Sequence, residues 1–169
     1  TDGALNIGAL SEKDIFALGI SASGSVTAGS GTFGFSGALG VAWASNTIGG
    51  TVDALIRNSD IVGRDVTGQP SASGSGPITI TADNTSTIDS TLTAAAISVT
   101  AGSGNVNFSL SGAAAITENR ITSEVLAGIQ SNSYVVANGS VSISADSENT
   151  INANTVAVAV SVSAGSGSV

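Results

Sequence analysis

The stretch SVTAGSG lies at residues 25–31 and returns unchanged at residues 98–104, and SVSAGSG follows at residues 161–167. Small residues of this kind are typical of flexible linkers, but a linker has no reason to recur in register with its surroundings. A phrase that returns at a long, regular spacing indicates a repeat architecture. We therefore expect AGSG to form a fixed corner that occurs once in each structural period.

The similarity extends well beyond this stretch. Three ungapped copies of a longer phrase cover residues 4–31, 77–104 and 140–167, so consecutive copies begin 73 and then 63 residues apart. The intervening segments match as well, since Phe35 recurs 73 residues later as Phe108. The sequence therefore predicts one tandem array along the whole chain.

The first repeat is longer than the second, and its extra residues fall around GRDVTGQPSA at positions 63–72. Polar residues and proline are typical of a surface loop, where insertions accumulate. We therefore expect repeats of about 63 residues at 4–76, 77–139 and 140–169. The third repeat is incomplete, which predicts that the chain is part of a longer protein, because natural arrays end in a cap.

The composition restricts the class of protein. The chain has 169 residues, of which 41% are apolar, 9% charged and 4% aromatic, with 22 glycines and no Cys or His. Disordered chains are normally less apolar, and compact globular domains carry about a quarter charged residues. A net charge of −8 with four basic residues argues against nucleic-acid partners. No apolar run is long enough for a membrane-spanning helix.

The hydrophobic pattern has a period of two, which is typical of strands. In TVAVAVSVSAGSG, residues 155–167, valines alternate with Ala and Ser. Short alternating strands with frequent turns predict an all-β fold, a parallel β-solenoid whose Val, Ile and Ala rows face inward. With about 20 residues in each rung, one repeat would hold three rungs and add about 14 Å. Stacked antiparallel β-hairpins, with AGSG as the hairpin turn, are the alternative.

One face of the long strand before AGSG carries only small side chains. We assign this face to the outside, where a flat strip of Ala and Ser permits close approach of another sheet, within the chain or between chains. The predicted interface residues are Ala94, Ala96, Ser98, Ala157, Ala159 and Ser161.

Acidic residues recur after the Ile-x-Ala phrase, where we expect a turn. Asp83, Asn84, Asp146 and Glu148 supply the oxygen ligands that calcium prefers. Asp and Asn are also ordinary turn residues, because their side chains bond the local backbone. Calcium is therefore the only candidate cofactor. Without histidine there is no Ser-His-Asp arrangement, and we expect no enzymatic activity.

The phrases ITITADNTSTIDS (78–90) and VSISADSENTINA (141–153) resemble the repeat regions of giant secreted bacterial proteins. These are the filamentous-haemagglutinin-like exoproteins and the leukotoxin-like filamentous adhesins. The resemblance implies a right-handed parallel β-helix exported to the cell surface or the extracellular space. It also implies a role as stalk, adhesin or filament subunit, and it brings no catalytic residues.

The sequence thus predicts a non-catalytic structural segment that associates with further repeats or identical chains, end to end or laterally. Glycans or a host or cell surface are further candidate partners. A carbohydrate- or calcium-binding module is an alternative function, for which Trp43 and Tyr134 supply aromatic side chains. An ice-binding solenoid is another, for which Thr79–Thr81 and Thr85–Thr87 approach the Thr-x-Thr pattern that such a surface repeats at every rung.

Overall fold

A computed structural model describes residues 3–64, 67, 69–71, 74–104 and 106–165. These residues form strands and connecting turns, and none of them lies in a helix.

Five of the nine strands are 24 or 25 residues long, and the other four have two residues each. In chain order they are β1 (Leu5–Gly29), β2 (Phe33–Arg57), β3 (Asp60–Ile61), β4 (Gly63–Arg64), β5 (Pro70–Ser71), β6 (Ile78–Gly102), β7 (Val106–Gln130), β8 (Tyr134–Val135) and β9 (Val141–Ala164).

The long strands stack in parallel into two sheets. Sheet A has the order β1-β6-β9, and sheet B pairs β2 with β7. A short parallel pair, β3 with β8, continues the stack beyond them. The predicted parallel β-solenoid is therefore confirmed. The antiparallel alternative is not adopted, because the strands that flank the first two AGSG stretches lie in different sheets. The right-handed sense of the coil stays a prediction.

Each sequence repeat makes one rung, which we define as one long strand in sheet A and its successor in sheet B. The Leu5 amide donates to the Pro77 carbonyl at 2.9 Å, and the Ile78 amide donates to the Ser140 carbonyl at 2.9 Å. Equivalent residues of successive repeats are thus direct neighbours. The expectation of three rungs in each repeat is wrong, and a repeat adds about 4.8 Å rather than about 14 Å.

The rungs are long because the acidic residues do not form a turn. Asp83 and Asp146 lie inside β6 and β9, where their side chains face solvent. The next residue, Asn84, faces inward and donates to Ser147 Oγ at 3.3 Å and to Asn149 Oδ1 at 3.1 Å. The predicted turn is wrong, since hydration satisfies the outward polar groups and the adjacent rung satisfies the inward one.

The first two AGSG stretches form corners, and the third extends outside the described residues at positions 166 and 167. β1 ends at Gly29 and β2 begins at Phe33, and the second repeat turns at the equivalent place. Thr27 Oγ1 donates to the Phe35 carbonyl at 2.9 Å, and this bond recurs 73 residues later from Thr100 to Phe108. Glycine is needed where the corners stack, because a Cβ on Gly102 would lie 2.2 Å from the Gly29 carbonyl oxygen.

The extra residues of the first repeat leave and rejoin the stack at one place. Ile61 pairs with Val135, and Ser75 pairs with Ala137, so residues 62–74 occupy the place of Val136 alone. Strands β4 and β5 form an antiparallel pair within this inserted loop. Residues 65, 66, 68 and 72 of the predicted loop lie outside the described residues.

The chain forms two compact units, each assembled from three segments. The first unit comprises Thr1–Asp14, Thr47–Thr87 and Ile121–Thr150. Its core brings side chains of β2 against side chains of β6, and these are Val52, Ala54, Ile56, Ile78, Ile80 and Ala82. Large β-branched residues fill this unit, as the periodicity predicted.

The second unit comprises Ile15–Asn46, Ile88–Arg120 and Ile151–Val169. Its buried core is Ala42, Leu92 and Ala94, mostly small side chains. A Cβ on Gly40 of sheet B would lie 2.5 Å from the Ala95 carbonyl oxygen of sheet A. The two sheets therefore approach each other closely within this unit.

Candidate functional site

The small-residue strip of β6 lies inside the second compact unit. Ala94, Ala96 and Ser98 are fully buried, and Ser109 Oγ of sheet B donates to the Ser98 carbonyl at 2.8 Å. The expected outward direction of this strip is wrong for β6. The opposite face of the strand carries Ile97 and Val99, so burial of apolar area alone would turn that face inward. The spacing between the sheets decides the orientation, because only the smaller side chains fit there.

The same strip in β9 has no strand opposite it. Ser161 Oγ and Ser111 Oγ lie 2.9 Å apart, which shows that this face of β9 points towards sheet B. Sheet B nevertheless ends at β7 in the described part of the chain. Equivalent positions of successive repeats form a column across the sheet. Ala157, Ala159 and Ser161 are therefore exposed, although they lie in the same columns as the buried residues of β6. The six predicted interface residues thus divide into a covered set and an uncovered set.

Two isoleucines at equivalent positions of successive repeats show how strongly burial depends on the opposite strand. Ile80 is 0% exposed, whereas Ile143, which occupies the same position one rung later, is 46% exposed. Both side chains point the same way from neighbouring strands of sheet A. The difference arises because β9 is a rung with only one of its two strands.

The open position beside β7 has defined side-chain requirements. Asn46 Nδ2 donates to Asn119 Oδ1 at 2.8 Å, and the rings of Phe35 and Phe108 stack with their centroids 5.7 Å apart. Each pair joins β2 to β7 at a separation of 73 residues. A further strand with Phe and Asn in these columns would extend both ladders. We call the free edge of β7 together with the uncovered face of β9 the open end.

The predicted calcium ligands do not converge. Asp83, Asp146 and Glu148 are exposed on the outer face of sheet A, and Asn84 is buried on the inner face. Consecutive residues of a strand point to opposite faces, so Asp83 and Asn84 cannot share a cation. Among the described residues, no group of three or more His, Cys, Asp or Glu side chains is placed to hold a metal ion.

A further acidic residue of β6 takes part in a ladder between rungs. Asp89 Oδ1 accepts a hydrogen bond from Asn152 Nδ2 at 2.8 Å, across 63 residues. This separation is that of the second and third repeats, so the bond is another in-register contact. The acidic residues of the long strands therefore contribute to stacking or face solvent.

A row of Thr and Asp side chains lies on the outer face of β6, and the sequence analysis identified only part of it. Every second residue from 79 to 93 is Thr or Asp, and the threonines are Thr79, Thr81, Thr85, Thr87, Thr91 and Thr93. Reading the whole stretch with a period of two would have found this row. It is confined to one strand, because Leu18 and Asn154 occupy the Thr91 column on either side.

The aromatic side chains lie mainly on the outer face of sheet B. Trp43 is 71% exposed beside Val41, and the stacked pair of Phe35 and Phe108 lies on the same face. A groove of about 390 Å³ separates Leu39 from Leu110 where glycines replace larger side chains. Tyr134 is exposed in β8.

No helix in the described part of the chain is long and apolar enough to cross a membrane. Comparison with protein-family models, with curated proteins and with solved structures found no match to this chain. The resemblance to filamentous adhesin repeats therefore stays a prediction.

Proposed function

We propose that this chain is a structural repeat segment of an extracellular bacterial filament, stalk or adhesin, without catalytic activity. The observation that supports the proposal is the stacking of repeats in register. Contacts at separations of 73 and 63 residues recur between rungs, as in the Asn46–Asn119 and Asn84–Ser147 pairs. These contacts join each rung to the next one.

The mechanism is additive. A rung with neighbours on both sides buries its inward side chains completely, as Ile78 and Ile80 show. Full burial of such a side chain stabilises the fold by about 1.5–3 kcal/mol. In a stack of this kind the free energy of unfolding grows with the number of rungs. Length and stability therefore increase together, which suits a stalk or filament.

The proposed partner is further repeats or identical chains, added at the open end. Unpaired strand edges are templates for pairing with another strand. The uncovered face of β9 adds apolar surface at Val141, Ile143 and Ile151. Glycans or a cell surface would be contacted by the outward rows or by the inserted loop. The extracellular location is supported by the resemblance and by an acidic, lysine-poor composition.

The first test lengthens the array. A second copy of residues 77–139 is inserted after position 139, and the midpoint of denaturant unfolding is compared with that of the original chain. We expect a higher midpoint and a steeper transition, because the new rung is covered on both sides. The control carries the same insertion without Ala114, which reverses the inward and outward alternation over the rest of that strand. An unchanged midpoint in the lengthened chain would contradict additive stacking.

The second test examines assembly directly. Electron micrographs of the purified chain, with a power spectrum along any filament, should show a reflection near 4.8 Å. Each repeat should add one such rung rather than three. Compact particles without this reflection at all protein concentrations would defeat the filament proposal.

A further inference from the structure

The charged residues are absent from three long stretches of the sequence. Residues 15–52, 90–117 and 149–169 contain no Asp, Glu, Lys or Arg. These stretches build most of the second compact unit, whose segments carry only Asp89, Glu118 and Arg120. The outer surface of this unit therefore lacks the charges that normally keep a β-sheet apart from its neighbours.

The outer face of sheet A in this unit is apolar along β1 and along the parts of β6 and β9 that precede AGSG, and its polar end carries Asp89, Thr91, Thr93, Asn152 and Asn154. We call it the valine face, and it comprises the outward residues of 16–28 in β1, 89–101 in β6 and 152–164 in β9. Phe16 is 76% exposed and Val26 is 77% exposed. The other large side chains exposed on this face are Leu18, Ile20, Ile97, Val156, Val158, Val160 and Val162.

Stacking in register arranges these side chains in straight rows. Val26, Val99 and Val162 form one row across the sheet, because they are separated by 73 and 63 residues. Gly24, Ile97 and Val160 form the next row on this face, and Ala22, Ala95 and Val158 form the row after it. On a flat face, large side chains that stand beside smaller ones are able to interdigitate with the same side chains of another sheet.

The size of the valine face suits association of two chains. Three strands about 4.8 Å apart, with about 13 residues at about 3.3 Å each, give about 600 Å². Two such faces in contact would bury about 1,200 Å², the lower end of the range for specific interfaces. Each added rung would enlarge the contact by about a third in this arrangement.

A second copy fits this face better than a lipid surface does. Anionic membranes attract clusters of Lys and Arg, whereas Asp14 lies beside the valine face and Asp89 lies at one end of it. Insertion into hydrocarbon would also leave the unpaired edges of β1 and β9 without hydrogen bonds. Another apolar sheet face needs neither basic residues nor burial of those edges.

We propose that the valine face is the contact surface for a second copy of this chain, packed sheet to sheet with the same face of its partner. The contact is lateral and uses the outer surface of sheet A. It adds side-by-side association to the proposed end-to-end stacking, and it does not use the open end.

The test is sedimentation velocity over a range of protein concentrations. We expect the original chain to dimerise reversibly, and NaCl to strengthen the dimer because two chains of charge −8 repel each other. Val99→Lys should remain monomeric, since it places a charge among the apolar side chains of the central strand of the face. Thr85→Lys is the matched control, because Thr85 is an outward residue of the same strand outside the valine face. Both variants have a net charge of −7, so net charge does not explain a difference between them.

Folding is checked by circular dichroism and by the unfolding midpoint of each variant. If Val99→Lys fails to fold, Val99→Thr keeps the β-branched shape while it lowers the apolar area, and it should weaken the dimer by several-fold. A chain that is monomeric at every concentration and salt level overturns the inference. Equal loss of the dimer in Thr85→Lys and Val99→Lys also overturns it.

Flotation with vesicles of neutral and of anionic phospholipid tests whether the valine face binds a lipid surface instead of a second chain. A monomeric chain that floats with vesicles, and loses this property in Val99→Lys, would show that the face binds lipid and overturn the dimer. The result is separate from the function proposed above, which is tested by the stability of the lengthened array. A chain that gains stability with an inserted repeat but never dimerises contradicts the lateral contact alone.

Discussion

The side-chain amide of Asn46 donates a hydrogen bond of 2.8 Å to Oδ1 of Asn119, the residue that occupies the same position in the next repeat. The two residues are far apart in sequence and adjacent in sheet B, so the bond reports the register of the whole stack. A slip of one strand by one residue would turn its amide to the opposite face of the sheet, away from its partner. Polar ladders of this kind hold the rungs in phase where the apolar rows alone would permit sliding.

The first prediction concerns this ladder. Asn119→Leu should lower the free energy of unfolding by about 1–3 kcal/mol, because the half-buried Asn46 amide loses its partner. Asn46→Leu combined with Asn119→Leu should cost less than the sum of the two single changes. Denaturant unfolding of the four chains provides the cycle. Strict additivity would show that the two amides do not interact.

The second prediction concerns the close approach of the sheets at Gly40. A Cβ at this position would lie 2.5 Å from the Ala95 carbonyl oxygen, so Gly40→Ala should destabilise the fold by about 1–3 kcal/mol. Gly24→Ala is the matched control, since nothing lies within 4 Å of its added Cβ. That substitution should change the unfolding free energy by less than about 0.5 kcal/mol. Equal effects of the two substitutions would contradict the tight spacing of the sheets.

The third prediction compares two isoleucines of one column. Ile80→Ala should cost about 2–5 kcal/mol, because it leaves a cavity in a closed core. Ile143→Ala should cost clearly less, since Ile143 is exposed at the open end. When a strand with the sequence of residues 106–130 is joined after the third AGSG, the cost of Ile143→Ala should rise towards that of Ile80→Ala. An unaltered cost in the lengthened chain would mean that this strand does not cover β9.

The fourth prediction concerns the inserted loop. Deletion of residues 63–74 leaves Val62 between Ile61 and Ser75, which is the arrangement of the second repeat. The long sheets should persist, with an unfolding free energy within about 1 kcal/mol of the original, because shortening a surface loop changes closure entropy only slightly. Circular dichroism and thermal melting measure both quantities.

Deletion of Thr85 and Ser86 is the control for the loop deletion. It preserves the inward and outward alternation of β6 but shifts its register against β1 and β9 by two residues. We expect this smaller deletion to be far more damaging than the larger one. If the loop deletion lowers the melting temperature as much as the strand deletion does, the loop supports the stack.

Several features could be predicted from the sequence because they depend on periodicity. The recurrence of AGSG located the corners, and alternation with a period of two predicted strands and a parallel stack. The mismatch between spacings of 73 and 63 residues located the inserted loop, since an insertion shifts every later match by its own length. Phe35 was aligned with Phe108, and the two rings stack in the structure.

Other features needed the tertiary structure. The residues around Asp83 and Asp146 have turn-forming side chains, yet the adjacent rung provides partners for Asn84, and the strands continue without a break. Asn84 was separated from the acidic candidates Asp83, Asp146 and Glu148 because a strand sends neighbouring residues to opposite faces.

The amino-acid sequence by itself determined the repeat, the corners, the strands and the register between rungs, because these follow from local alternation and from spacing along the chain. Only the tertiary structure decided how many rungs each repeat makes and which face of each strand turns inward. In the second compact unit the outward Val, Ile and Leu side chains are more apolar than the inward Ala and Ser side chains, so burial of apolar area alone would favour the opposite orientation. The two sheets lie close together at Gly40 and Ala95, so only the small Ala and Ser side chains fit between them. The valines therefore lie on the outer face.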